Sequence, residues 1–119
     1  MAKTNVIQEK SFLFAIEIVK TVRGIRKEEK EFEITRQLLR SGTSIGANIE
    51  EAIGAQSNKD FIHKMSVSYK EARETKYWLR LIKEVEIMSD KKADELLMAC
   101  EELLKILGSI LKKIKSNNS

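Results

Sequence analysis

The sequence predicts an all-α fold, an up-down-up-down antiparallel four-helix bundle, on three observations. Apolar residues recur at three- and four-residue steps through most of the chain, the spacing of helices with one buried face. Proline is absent and only five glycines occur in 119 residues, so breaks are few and connections short. No segment shows the strict alternation of a half-buried strand. Four periodic runs joined by short connections pack as antiparallel neighbours in one domain spanning residues 1–119.

The first helix is expected over about residues 6–26. Phe12, Ala15, Ile16, Val19 and Val22 mark its buried face, and Phe14, Ile18 and Ile25 form a second stripe beside it. "RKEEKE", Arg26 to Glu31, reads as an exposed connection. The second helix is expected over about 32–53, with Ile34, Leu38, Ile45, Ile49 and Ala52 on one face. It contains "SGTSIGANIEEA", Ser41 to Ala52, whose small residues and two glycines look foreign to a helix interior. Each glycine weakens helix propensity by about 1 kcal/mol. Close approach of a neighbour to Ser41, Gly42, Ser44 and Gly46 would offset that cost. Asn48-x-x-Glu51 also fits a capping box, so a restart at Asn48 is an alternative. With Ile45 and Ile49 in phase, one unbroken helix is favoured, with Asn48 in a specific buried hydrogen bond.

"GAQSN", Gly54 to Asn58, is the clearest break, with Gly54 able to close one helix and Ser57 to cap the next above Asp60. The third helix is expected over about 58–88. Phe61, Met65, Ser68, Ala72, Thr75, Leu79 and Ile82 follow a 4-3-4-3 spacing. Ser89 and Asp90 are capping candidates for a fourth helix over about 90–115. Its seam is Ala93, Leu97, Cys100, Leu104, Leu107, Leu111 and Ile114, flanked by Leu96, Leu103 and Ile110. Helices one and four are apolar over more than one seam. That predicts association with further copies of the chain; the alternative is that the extra stripes widen the monomer core.

Composition narrows the function classes. The net charge of +4 is compatible with a polyanionic partner but is shared by many inert bundles. A single cysteine, Cys100, cannot form an internal disulfide and suits a reducing compartment. "MAKTNVIQEK" has no apolar stretch of the kind a signal peptide needs, and the longest apolar run, "FLFAI", is too short to span a bilayer. A cytoplasmic location away from membranes is expected.

No catalytic, cofactor or metal site is expected. A di-iron bundle needs two Glu-x-x-His pairs and further inward glutamates, whereas His63 is the one histidine, preceded by Asp60. Ser41, Thr43 and Ser44 lack a neighbouring base to activate them. Glu50–Glu51 and Glu101–Glu102 are adjacent and so point about 100° apart on a helix; solvation or pairing with lysines one turn away accounts for them. A phosphate loop requires Lys and Ser or Thr after its second glycine, but Ala47 and Asn48 follow Gly46. Cys100, within the fourth seam, reads as a small buried hydrophobe.

Two basic stripes are the candidate interface. Arg73, Lys76, Arg80 and Lys83 fall on one face of helix three beside Tyr77, and Lys20, Arg23, Lys27 and Lys30 on one face of helix one. Such stripes neutralise phosphates in nucleic-acid-binding proteins. The competing reading is a solvated face in which Glu71, Glu74, Glu84 and Glu86 pair with the cations. Tyr77 and Trp78 are candidates to stack on bases, against burial of Trp78 at a core or subunit contact.

"RQLLRSGTSIGANIEEA", Arg36 to Ala52, resembles the signature of the bacterial 23S rRNA-intervening-sequence proteins, with Arg40, Ser44, Ile45, Asn48, Ile49 and Glu51 as the matching residues. Ser57 to Leu81 is similar to that family's third helix and "CEELLKILGSILKKIK" to its last. Ala52 stands where a glycine is common. The resemblance implies a four-helix bundle assembling into a ring-like homopentamer. It also implies likeness in fold to the accessory protein of diversity-generating retroelements, which binds nucleic acid and a reverse transcriptase. The expectation is therefore a non-enzymatic homo-oligomer with RNA or DNA as candidate partner. The alternative is an interaction bundle whose partner is a protein.

Overall fold

The computed structural model describes residues 2–117, with side chains from residue 4. Four α-helices and no strand occur among the described residues: α1 (Ala2–Glu29), α2 (Glu33–Ile53), α3 (Asn58–Glu84) and α4 (Asp90–Asn117). Each helix packs on those next to it in the chain, and α1 also packs on α4, while the backbones of α1 and α3, and those of α2 and α4, do not come close. The arrangement is consistent with a bundle, elongated at 48 × 21 × 20 Å. No helix among the described residues is long and apolar enough to cross a membrane.

The core confirms the periodicity of α3, where Met65, Ser68, Ala72, Thr75, Leu79 and Ile82 are all buried. In α1 the second stripe supplies most of the buried line, and Val22 is the one residue of the first stripe that is buried. The buried line is Ile7, Ser11, Phe14, Ile18, Val22 and Ile25, whereas Phe12 is 65% exposed. Both stripes have helical spacing, so periodicity alone does not choose between them. The deciding feature is Gly42: a Cβ there would lie 3.0 Å from both Cγ atoms of Ile18, so Ile18 fits only against a bare backbone. In α4 the seam residues Ala93, Cys100, Leu107 and Leu111 are buried, as are the flanking Leu96, Leu103 and Ile110, whereas Leu97, Leu104 and Ile114 are half-buried.

The Ser41–Ala52 stretch lies within one unbroken helix. Its small residues admit neighbours on two sides. Gly42 and Gly46 face α1, where a Cβ at Gly46 would meet Ser11 Oγ at 3.3 Å. Toward α3, the hydroxyls of Ser41 and Thr75 meet at 3.0 Å, and Ser68 Oγ donates to the Ile45 carbonyl at 2.8 Å. Asn48 makes a hydrogen bond, but to its own helix: Nδ2 donates to the Ser44 carbonyl at 2.8 Å, only partly buried.

Connections are shorter than the charged runs suggest. Most of "RKEEKE" is the last turn of α1, which ends with Lys30 in the left-handed region at φ 57°. Glu31 then caps α2, its carboxylate accepting from the backbone N–H groups of Glu33, Ile34 and Thr35 at 3.1, 3.0 and 2.9 Å. Arg26 Nε donates to Thr35 Oγ1 at 3.0 Å, holding this corner closed. Ser57 caps α3 by accepting from Asp60 N–H at 3.0 Å, and Ser89 accepts from Lys92 N–H at 3.2 Å at the start of α4. Helix α3 stops at Glu84 rather than Met88. Glu86, at φ 58°, donates to the Lys83 carbonyl while Ile87 donates to that of Ile82, the pair of bonds that closes a Schellman motif.

Candidate nucleic-acid interface

The basic stripe of α3 is a groove wall rather than an isolated face. Tyr69, Arg73, Lys76, Tyr77 and Arg80 line a depression with Glu101, Leu104 and Lys105 of α4. Tyr69 and Arg73 continue into a second, lined by Lys70, Gly108, Lys112 and Lys115. The α3 residues recur at three, four and seven positions, and Glu101, Lys105, Gly108, Lys112 and Lys115 do the same on α4, so each helix contributes one edge. The sequence shows each half of this pattern. Which α4 face lies beside α3 is fixed by tertiary register, through contacts such as Cys100 Sγ donating to the Ala72 carbonyl at 3.3 Å.

Two of the four glutamates expected to neutralise the α3 stripe, Glu71 and Glu74, are engaged elsewhere. Arg40 of α2 holds Glu71, with Nη1 at 3.2 Å from Oε2, and its other nitrogen pairs with Glu74. Glu74 also accepts from Trp78 Nε1 at 3.3 Å. Lys76 pairs with Glu101, and Lys83 pairs with Asp94 at 2.7 Å, which raises the lysine pKa. Arg73, Arg80, Lys105 and Lys112 make no ion pair among the described residues. Within the groove cations therefore predominate, with Glu101 the opposing carboxylate.

Lys20, Arg23 and Lys27 are exposed on α1, whose backbone does not come close to that of α3, so the fold does not merge the two stripes. Of the signature residues, Ile45 and Ile49 are fully buried. Ser44 Oγ donates to the Arg40 carbonyl at 2.6 Å, and Glu51 lies 3.9 Å from Lys64. These residues organise α2 and its contact with α3.

The adjacent carboxylates bridge helices rather than turns. Glu50 accepts from Gln8 of α1 at 2.9 Å while Glu51 faces Lys64 of α3. Glu101 pairs with Lys76 of α3 and Glu102 with Lys10 of α1. Their 100° divergence sends each pair to two different neighbours. Burial pushes the Cys100 thiol up to about 12, with Glu101 adding to the shift; at neutral pH it is a protonated thiol. No group of three or more His, Cys, Asp or Glu side chains that could hold a metal gathers among the described residues.

These features define an all-helical protein with a cationic groove between its last two helices. The chain belongs to the family of 23S rRNA-intervening sequence proteins, whose defining pattern matches residues 3–109. It is also similar to a crystal structure, at 1.70 Å, of a protein with unknown function from the S23 ribosomal protein family of Bacteroides thetaiotaomicron VPI-5482. The two are 45% identical, with a TM-score of 0.91 over 92% of this chain and 98% of that one. No curated protein matches the chain.

Proposed function

We propose that this protein is a non-enzymatic, oligomeric, up-down-up-down four-helix bundle that binds nucleic acid through the α3–α4 groove. The carrying observation is the convergence of Arg73 and Arg80 from α3 with Lys105 and Lys112 from α4 on one groove, without intramolecular ion pairs to satisfy them. Contact registers support the topology: Ser68 meets Ile45 while Thr75 meets Ser41, so contacts descend α2 as they ascend α3. Phe12 and Leu13, 65% and 53% exposed on α1, supply an apolar surface for association into a ring. Repetition of the groove around such an assembly would raise avidity without any new contact. A cytoplasmic location fits this reading.

Gel shifts with RNA and DNA at low and high salt test it. Binding that falls steeply with salt, and is lost when Arg73 and Arg80 become Glu, is the expected result. Absence of binding at low salt would favour the alternative, a bundle whose partner is a protein.

A further inference from the structure

We infer that the α3–α4 groove takes single-stranded nucleic acid, with the exposed ring of Tyr77 as a stacking platform for an unpaired base, beside half-buried Tyr69, which packs against the core. This rests on the reading of the groove as a nucleic-acid site and adds the form of nucleic acid it selects.

Two aromatic rings are interleaved with the cations. Tyr69 precedes Arg73 by one turn, and Tyr77 lies between Arg73 and Arg80. At 1.5 Å per residue the two tyrosines are roughly 12 Å apart along the helix axis. Cationic grooves with spaced aromatic rings bind single strands, because phosphates follow the charges while every base offers a face for stacking. Tyr77 is 56% exposed, so its ring is open to a stacking base. It is nevertheless held: Trp78 meets it edge-on, centroids 4.9 Å apart at 76°. Trp78 is in turn fixed through Glu74 to Arg40. A platform ordered before binding loses less freedom when a base arrives.

The shape of the site disfavours a duplex. Two packed helices present a face roughly 20 Å across, whereas the major groove of B-DNA, about 12 Å wide, admits one helix. With α4 alongside, α3 cannot enter that groove. A duplex would touch the cationic rim and leave the Tyr77 ring unused.

The test is fluorescence anisotropy of the full chain with labelled oligothymidylate and oligouridylate strands of about 15 nucleotides, and with a duplex of equal length, at two salt concentrations. Expected are single-strand affinities at least about tenfold above the duplex, and a roughly tenfold loss for Tyr77→Ala with an unchanged salt slope. Tyr77→Trp should restore the affinity. In the wild-type protein, emission from Trp78, the one tryptophan in the chain, should be quenched by saturating single strand and not by duplex. Equal affinity for strand and duplex, wild-type binding by Tyr77→Ala, or unquenched Trp78 would overturn the stacking inference while leaving a salt-dependent basic groove in place. No binding of any probe at low salt would remove both.

Discussion

Ser68 on α3 donates its hydroxyl proton to the carbonyl oxygen of Ile45 on α2, 2.8 Å away and fully buried. Such an approach needs small residues on both helices, because a longer side chain at 68 would hold the backbones apart. Ser68→Ala should cost about 1 kcal/mol, the net worth of a buried neutral hydrogen bond. Ser68→Leu should cost more, because it overfills the same space. Urea denaturation of both variants distinguishes them, and a leucine variant as stable as wild type would contradict this account of the α2–α3 contact.

Glycines 42 and 24 should respond oppositely to alanine. At Gly42 a Cβ meets Ile18, a β-branched, fully buried side chain with little freedom to move. Overpacking of about 1–3 kcal/mol outweighs the propensity gain of about 1 kcal/mol. At exposed Gly24 nothing lies within 4 Å, so Gly24→Ala gains propensity alone and should raise the melting temperature. Trimming the neighbour with Ile18→Val should reduce the penalty of Gly42→Ala.

The Glu31 cap makes stability depend on acid. Partial burial opposes ionisation of its carboxyl, but the backbone N–H groups of Ile34, Thr35 and Glu33 together hold its pKa below 4.5. A lowered folded-state pKa means that this stabilisation is fully present above the unfolded value and is lost as pH falls through the folded one. Glu31→Ala should cost about 1 kcal/mol at pH 7, as other lost caps do. Thermal melts at pH 7 and pH 3 should show that difference narrowing in acid; a constant difference would assign the effect to something other than the charge.

Phe12 and Leu13 should be needed for self-association. Burying one such side chain contributes about 1.5–3 kcal/mol, and neither belongs to the core of the protomer. Light scattering should give a mass several times the 13.7 kDa protomer, falling for Phe12→Glu with helicity retained. A wild-type monomer at micromolar concentration would refute oligomerisation.

The fold class was legible because helical periodicity is local. Met65 through Ile82 could be assigned to the core from spacing alone, since α3 carries one apolar line. On α1 two lines satisfied the same spacing, and of the one through Phe12 only Val22 is buried. The candidate site was half legible: Arg73, Lys76 and Arg80 share a face by arithmetic, but their association with Lys105 and Lys112 requires the register of α3 on α4.

By itself, the sequence determined four helices, their capping serines at 57 and 89, and the family signature around Ser41–Ala52, all set by residues within a few positions of one another. Tertiary structure decided which stripe of α1 is buried, through the bare backbone at Gly42 beneath Ile18. It also decided where charge accumulates, by drawing Glu71 and Glu74 to Arg40 and leaving Arg73 and Arg80 beside the lysines of α4. Both outcomes depend on side chains more than twenty positions apart, whose meeting is governed by how the helices pack, and no local pattern encodes that register.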